Sequence, residues 1–216
     1  MENTRCKVLG INASPTKGGN VEHFLNHALQ KAEKEDGVIT EAISLRGLKI
    51  SDCIQCNWCM TKQTADRPCA INDDALPILK KIRDCDVLIL ASPVYFLRLS
   101  GAMACLIDRS RCFIFGKEKP MALRGKIGVA LAVGWSRNGG IETTLQSIEW
   151  GFKVHEMWTP SVHHAASFFG TGAVSGPKLE KENKLKAMED KQALRSADLL
   201  IKKAVQMAKS KRFLSD

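Results

Sequence analysis
The run Asp86-Val87-Leu88-Ile89-Leu90-Ala91-Ser92 admits few structural readings. It shows no polar alternation, so it does not describe a strand with one wet face. A membrane helix needs about 20 apolar residues, and no run in the chain approaches that. A short continuous apolar stretch fits a central parallel strand covered on both faces. Parallel strands need crossover connections, usually helices. The rest of the chain should therefore alternate strand and helix.

It does. Cys6 to Ala13 reads as a first strand, Val38 to Leu45 as a second and Lys126 to Val133 as a fourth. A fifth is expected within Val154 to Val162, with Met157 and Trp158 inside it. After the first strand, Val21, Phe24, Leu25, Ala28, Leu29 and Ala32 mark one face of a helix. Leu76, Ile78, Leu79 and Ile82 mark another, with Asp73-Asp74 as its cap and Pro77 tolerable in its first turn. Ser100 to Arg111 is a third helix, Ile141 opens a fourth, and a basic helix is expected at about 190–209. Five βα units give an α/β fold with a doubly wound five-stranded parallel sheet, order 2-1-3-4-5. Residues 1–216, 44% of them hydrophobic, suffice for a single domain.

Loops at the carboxyl ends of the strands carry the chemistry in such sheets. After strand one comes Ser14-Pro15-Thr16-Lys17-Gly18-Gly19-Asn20, then a helix N-terminus. Hydroxyls, backbone N–H groups and the helix dipole suit one phosphate. The loop matches neither G-x-G-x-x-G nor the Walker pattern, so a monophosphate fits better than a dinucleotide or triphosphate. The plain alternative is an ordinary strand-to-helix turn. Strand three ends in Pro93-Val94-Tyr95-Phe96, a stiffened turn with aromatics where a flat ring could lie. Strand four ends in Gly134-Trp135-Ser136-Arg137-Asn138-Gly139-Gly140, whose glycines allow close approach. Together the three loops suit FMN.

The loop of residues 46–73 after strand two holds Cys53, Cys56 and Cys59, with Cys69 after a gap of nine residues. Thiolates at this spacing suit a [4Fe–4S] cluster, with zinc or no metal as the alternatives. Cys85, Cys105 and Cys112 fall near or within core elements and read as buried hydrophobes. His163-His164 reads as structural or exposed, and Asp108-Arg109 as a pair that fixes structure.

No signal-peptide pattern opens the sequence, so a cytoplasmic protein with reduced thiols is expected. No membrane association is expected. The net charge of +9 reads first as solvated helices, and otherwise as a surface for an acidic protein or nucleic acid.

The combination of Ser14-Pro15-Thr16 through Asn20, the cysteine motif, Asp73-Asp74, Ser92-Pro93-Val94-Tyr95, Asp108-Arg109 and Gly139-Gly140-x-Glu142 resembles the iron–sulfur flavoproteins. These form a branch of the flavodoxin-like NADPH-dependent FMN reductase superfamily. The last cysteine gap is longer than usual for that branch, and Thr16 and Val21 stand where an arginine and a hydroxyl residue are common. The resemblance implies FMN, a [4Fe–4S] cluster on the four cysteines, and homodimers or homotetramers with FMN near a subunit interface. The expected function is electron transfer between FMN and the cluster, with a ferredoxin-like or other redox partner. One alternative is an NAD(P)H-dependent FMN or quinone reductase without a cluster. Another is a redox-sensing or nucleic-acid-binding module.

Overall fold
The computed structural model describes residues 5–176 and 185–211. The charged stretch from Lys178 lies outside the described residues as far as residue 184. Five strands form one parallel sheet in the order β2-β1-β3-β4-β5. They are β1 (Cys6–Asn12), β2 (Val38–Ser44), β3 (Val87–Pro93), β4 (Ile127–Gly134) and β5 (Thr171–Val174). Among the described residues, seven α-helices accompany them: α1 (Asn20–Glu33), α2 (Trp58–Thr61), α3 (Ala75–Asp84), α4 (Gly101–Arg109), α5 (Arg111–Ile114), α6 (Ile141–Val154) and α7 (Lys191–Lys211). No described helix is long and apolar enough to cross a membrane.

The continuous apolar runs are central, as their lack of alternation requires. Every residue of β3 and of β4 is buried. β2, at one edge, is only partly covered. Alternate side chains along the strands feed two separate cores. Val8, Ile89 and Val129 pack with Phe24 and Leu25 of α1 and with Ala197, Ile201 and Val205 of α7. Leu9, Leu88 and Ala130 pack with Leu79 of α3, Met103 of α4 and Phe152 of α6. Pro77 falls in the first turn of α3, where its missing N–H costs no helical bond.

The fifth strand departs from the expectation. Residues up to Val154 belong to α6, and Trp158 makes only an isolated parallel bridge to Ile127 at the start of β4. The strand is Thr171-Gly172-Ala173-Val174, beyond the stretch in which it is expected. Here the glycines serve close packing. A Cβ on Gly172 would stand 2.1 Å from Ile141 Cγ2, and one on Gly170 would stand 2.3 Å from the Ala130 carbonyl oxygen. Side chains are excluded so that the short edge strand can lie against β4 and beneath α6.

Candidate functional site: three loops and a cysteine loop at one sheet edge
The phosphate-type loop is shaped from below by Asn12, at the end of β1. Asn12 Oδ1 accepts from Ser14 N at 2.9 Å, and Ser14 Oγ accepts from Thr16 N at 3.2 Å. These two bonds turn the chain sharply out of the strand, leaving Thr16, Lys17 and Gly18 exposed. Gly19 caps α1, and Gly18 N donates to the Glu22 carboxylate at 2.9 Å. Asn20 faces inward instead, its Oδ1 accepting from Ala187 N at 3.0 Å. Asn12 Nδ2 is buried beside the loop without a hydrogen-bond partner.

The turn after β3 is fastened by two serines. Ser100 N donates to Ser92 Oγ at 2.9 Å, and Ser100 Oγ donates to the Ala13 carbonyl at 3.2 Å. The aromatic turn is thereby tied to the base of the phosphate-type loop. Pro93 is buried and Val94 half-buried, while Tyr95 is exposed and Phe96 is 96% exposed. Phe96 and Leu97 both have left-handed backbones, with φ of 48° and 62°. Two consecutive non-glycine residues in that region are held at a cost of about 1–3 kcal/mol each.

The third loop meets the second. Val94 N donates to the Val133 carbonyl at 2.9 Å, and Thr143 Oγ1 donates to the Leu97 carbonyl. Gly140 caps α6 with φ of 95°, against Leu97. Trp135 is exposed at the rim. Arg137 turns away to Asp190, its Nη2 donating to Oδ2 at 2.5 Å, and Gly139 N donates to Ser136 O at 3.2 Å. Thus the structure brings Ser14, Thr16, Lys17, Gly18, Gly19 and Asn20 to the same edge as Pro93, Val94, Tyr95 and Phe96. Gly134, Trp135, Gly139 and Gly140 join them, whereas the Arg137 guanidinium is engaged elsewhere.

The cysteine loop leaves the same edge after β2. Leu45 N donates to the Asn12 carbonyl at 2.8 Å, so the two chains emerge side by side. Gln55 and Asn57, between the cysteines, adopt left-handed backbones with φ of 50° and 57°, which curls the segment tightly. Cys59 and Cys69 are buried, Cys53 is half-buried and Cys56 is exposed. The loop rests on α5. Gln63 Nε2 donates to the carbonyls of Pro68 (3.0 Å) and Cys112 (2.9 Å), Lys117 N donates to Cys59 O at 2.9 Å, and Arg111 Nη2 donates to Asn57 Oδ1 at 2.9 Å.

The neck of the loop is closed by Asp73. Its Oδ2 accepts from Ser51 N (3.0 Å) and from Arg109 Nη1 (2.6 Å), while Oδ1 accepts from Ala75 N (3.1 Å). Burial pushes the Asp73 carboxyl up, but the bonds from Arg109, Ser51 and Ala75 outweigh it and hold the group below its ordinary range. Asp74 secures the neighbouring step, accepting from Lys49 N at 2.7 Å. Of the Asp108-Arg109 pair, Arg109 fixes structure, with its side chain fully buried. Asp108 faces outward, its carboxyl raised by burial and by nearby Asp52.

Cys53, Cys59 and Cys69 lie near one another, while Cys56 is exposed on the same loop. Burial pushes the Cys59 thiol up against the pull of the Arg111 cation, and Cys69 and Cys53 lie near enough to add to the shift. Among the described residues, no three His, Cys, Asp or Glu side chains are disposed as a completed metal site. The donor set nevertheless fits an iron–sulfur cluster in kind. It offers four soft sulfurs on one curled loop, with Arg109 and Arg111 at hand to balance an anionic centre. Cys85 and Cys112 are buried thiols as expected, Cys85 being pushed up to about 12 by burial. His163 and His164 are exposed in a short turn.

Arg109, Arg111 and Gln63 escaped the sequence reading as supports of the cysteine loop. Arg109 left one signal. It follows Met103 and Leu106 at helical spacing, so it continues the buried stripe of α4.

A parallel sheet of order 2-1-3-4-5, with three ligand-type loops joined above its centre, defines a flavodoxin-like flavin oxidoreductase. The family profile described as NADPH-dependent FMN reductase matches residues 6–171, and the chain belongs to that family. An iron-sulfur flavoprotein of Methanocaldococcus jannaschii is 42% identical over 176 residues, covering 79% of this chain and 84% of the relative. A second from the same organism is 31% identical over 209 residues, covering 96% and 100%. One from Methanosarcina thermophila is 38% identical over 151 residues, covering 70% and 75%. Among solved structures, RosB with bound 8-demethyl-8-formylriboflavin-5'-phosphate superposes with a TM-score of 0.74 at 16% identity, covering 96% of this chain and 81% of that one. An NAD(P)H:quinone oxidoreductase from Methanothermobacter marburgensis gives a TM-score of 0.60 at 12% identity, covering 90% and 98%.

Proposed function
We propose that this chain relays electrons between FMN and a [4Fe–4S] cluster, as an electron-transfer oxidoreductase. The observation that carries the reading is the common exit of the cysteine loop and the three ligand-type loops at one sheet edge, pinned by the Leu45 to Asn12 bond. The relatives' printed names, iron-sulfur flavoprotein, support it.

Each group has a role. Ser14, Thr16, Lys17, Gly18, Gly19 and Asn20 surround the FMN phosphate with hydroxyls, amides, one cation and a helix N-terminus. Pro93, Val94, Tyr95 and Phe96 form one wall for the flat ring. Gly134, Trp135, Gly139 and Gly140 form the other, with Arg137 holding that loop to Asp190. Cys53, Cys56, Cys59 and Cys69 ligate the cluster. The flavin supplies two-electron or stepwise one-electron exchange, and the cluster supplies single-electron transfer. NAD(P)H is a candidate donor. The exposed Tyr95, Phe96, Leu97 and Trp135 offer an apolar rim for a second copy or a small redox protein such as ferredoxin.

A cluster-free NAD(P)H-dependent FMN or quinone reductase is the second reading. It is favoured by the family description, NADPH-dependent FMN reductase. Iron, acid-labile sulfide, zinc and flavin per chain on anaerobically purified protein separate the two. About four irons and four sulfides with one FMN are expected for the relay. FMN without iron or sulfide would overturn it in favour of the reductase.

A further inference from the structure
We infer that Arg109 is the positioning residue of the cysteine loop, closing its neck and presenting a hydrogen-bond donor to Cys69. Arg109 is 1% exposed and lies at the end of α4, outside the loop it serves. Its Nη1 donates to the Ser51 carbonyl (3.1 Å) and to Asp73 Oδ2 (2.6 Å), and its Nη2 donates to the Ile71 carbonyl (3.2 Å). Ser51 precedes Cys53 by two residues and Ile71 follows Cys69 by two, so one planar guanidinium grips both ends of the ligand segment. Asp73 completes the clasp by accepting from Ser51 N.

Two N–H donors are left over, the second on Nη2 and the one on Nε. Arg109 Nε–H is buried with no hydrogen-bond partner. Burial works against the Arg109 charge, and the Asp73 carboxylate together with the nearby Cys69 sulfur outweighs it. An unsatisfied buried donor is costly, and a thiolate or cluster ligand at Cys69 would relieve it. A lysine cannot replace this group. It has the charge but lacks the planar fork that reaches three oxygens at once and keeps a donor for Cys69.

The assignment rests on the cluster reading above, and its test separates the two. Wild type, R109K and R109Q are reconstituted anaerobically with iron and sulfide. Flavin content and thermal unfolding serve as fold checks. In R109K, iron should pass to a chelator at least several-fold faster than in wild type, with flavin content unchanged. In R109Q the cluster midpoint potential should move to more negative values, because a nearby cation that stabilises the reduced form is gone, while the flavin midpoint stays. The cluster-free proteins are tested in parallel by timed alkylation and mapping of Cys69, which should be modified several-fold faster in R109K. This arm stands even if wild type takes up no iron, an outcome that would sink the cluster reading but not the clasp. If R109Q does not fold, R109K decides. A folded R109K with wild-type iron retention and wild-type Cys69 labelling would overturn the assignment.

Discussion

A Cβ atom on Gly140 would stand 2.4 Å from the Cα of Leu97. The backbones of the second and third loops therefore touch at a point where no side chain fits. Gly140 also has φ of 95°, a conformation that L residues rarely adopt. G140A is expected to move the Leu97 turn or the Gly134 to Gly140 loop apart. Dissociation of FMN should accelerate by an order of magnitude or more, and the melting temperature should fall by a few degrees. Flavin fluorescence recovery on dilution checks the first. Unchanged flavin retention would mean that the contact between these loops is not part of the binding site.

Cys56 is the exposed member of the cysteine set. C56S should leave the fold intact and FMN bound at about one per chain, while iron and acid-labile sulfide fall to a small fraction of wild type. Equal loss of flavin and iron would show instead that the cysteine loop mainly supports the flavin edge. Metal analysis beside the flavin absorbance resolves the two.

His155 gives the protein an acid-sensitive joint. Its Nε2 lies 2.6 Å from Ser110 Oγ, which also donates to the Ile107 carbonyl at 2.5 Å, and its Nδ1 is buried without a partner. The bonds are consistent when Nε2–H donates to Ser110 Oγ and Nδ1 remains a bare acceptor. Burial lowers the imidazole from 6.5 to about 4. Between those values the unfolded chain takes up a proton that the folded chain refuses, so stability falls as pH drops through that window. The loss is of order 3 kcal/mol, at 1.36 kcal/mol per unit. Urea unfolding at a series of pH values should show this slope in wild type and a flatter one in H155Q. Parallel slopes would count against it.

Asp190 joins three elements. Its Oδ1 accepts from Ala193 N at 3.1 Å as the cap of α7, and its Oδ2 accepts from Val174 N of β5 (3.1 Å) and from Arg137 (2.5 Å). D190A removes the cap, at about 1 kcal/mol, and leaves a strand N–H unpaired. We expect a total loss of about 2–3 kcal/mol and a looser Gly134 to Gly140 loop. Amide exchange at Val174 and Ala193 should rise together. A rise at Ala193 alone would mean that the strand finds another acceptor.

The sheet was legible because β3 and β4 are buried on both faces and therefore carry uninterrupted apolar runs. The gathering of the loops at one edge was legible because hydroxyls, glycines and aromatics recur where parallel strands end. β5 was not, because its fit depends on Gly170 and Gly172 having no side chains to clash with Ala130 and Ile141. Glycine in sequence signals freedom, and only the neighbouring elements reveal confinement. The supports of the cysteine loop were hidden for a related reason. Gln63 and Arg109 act on carbonyls far away in sequence, and a backbone acceptor leaves no mark in the residue code.

At the narrow neck between Ser51 and Asp73 the cysteine segment leaves and rejoins the sheet edge at one point. Asp74 N donates to the Lys49 carbonyl at 3.2 Å, so the chain returns almost to where it left. A short turn could bridge that gap and still deliver α3 to its place against the sheet. The hydrogen bonds that shape the loops after β1, β3 and β4 run among those loops and do not involve the cysteine segment, so their arrangement is set independently of its length.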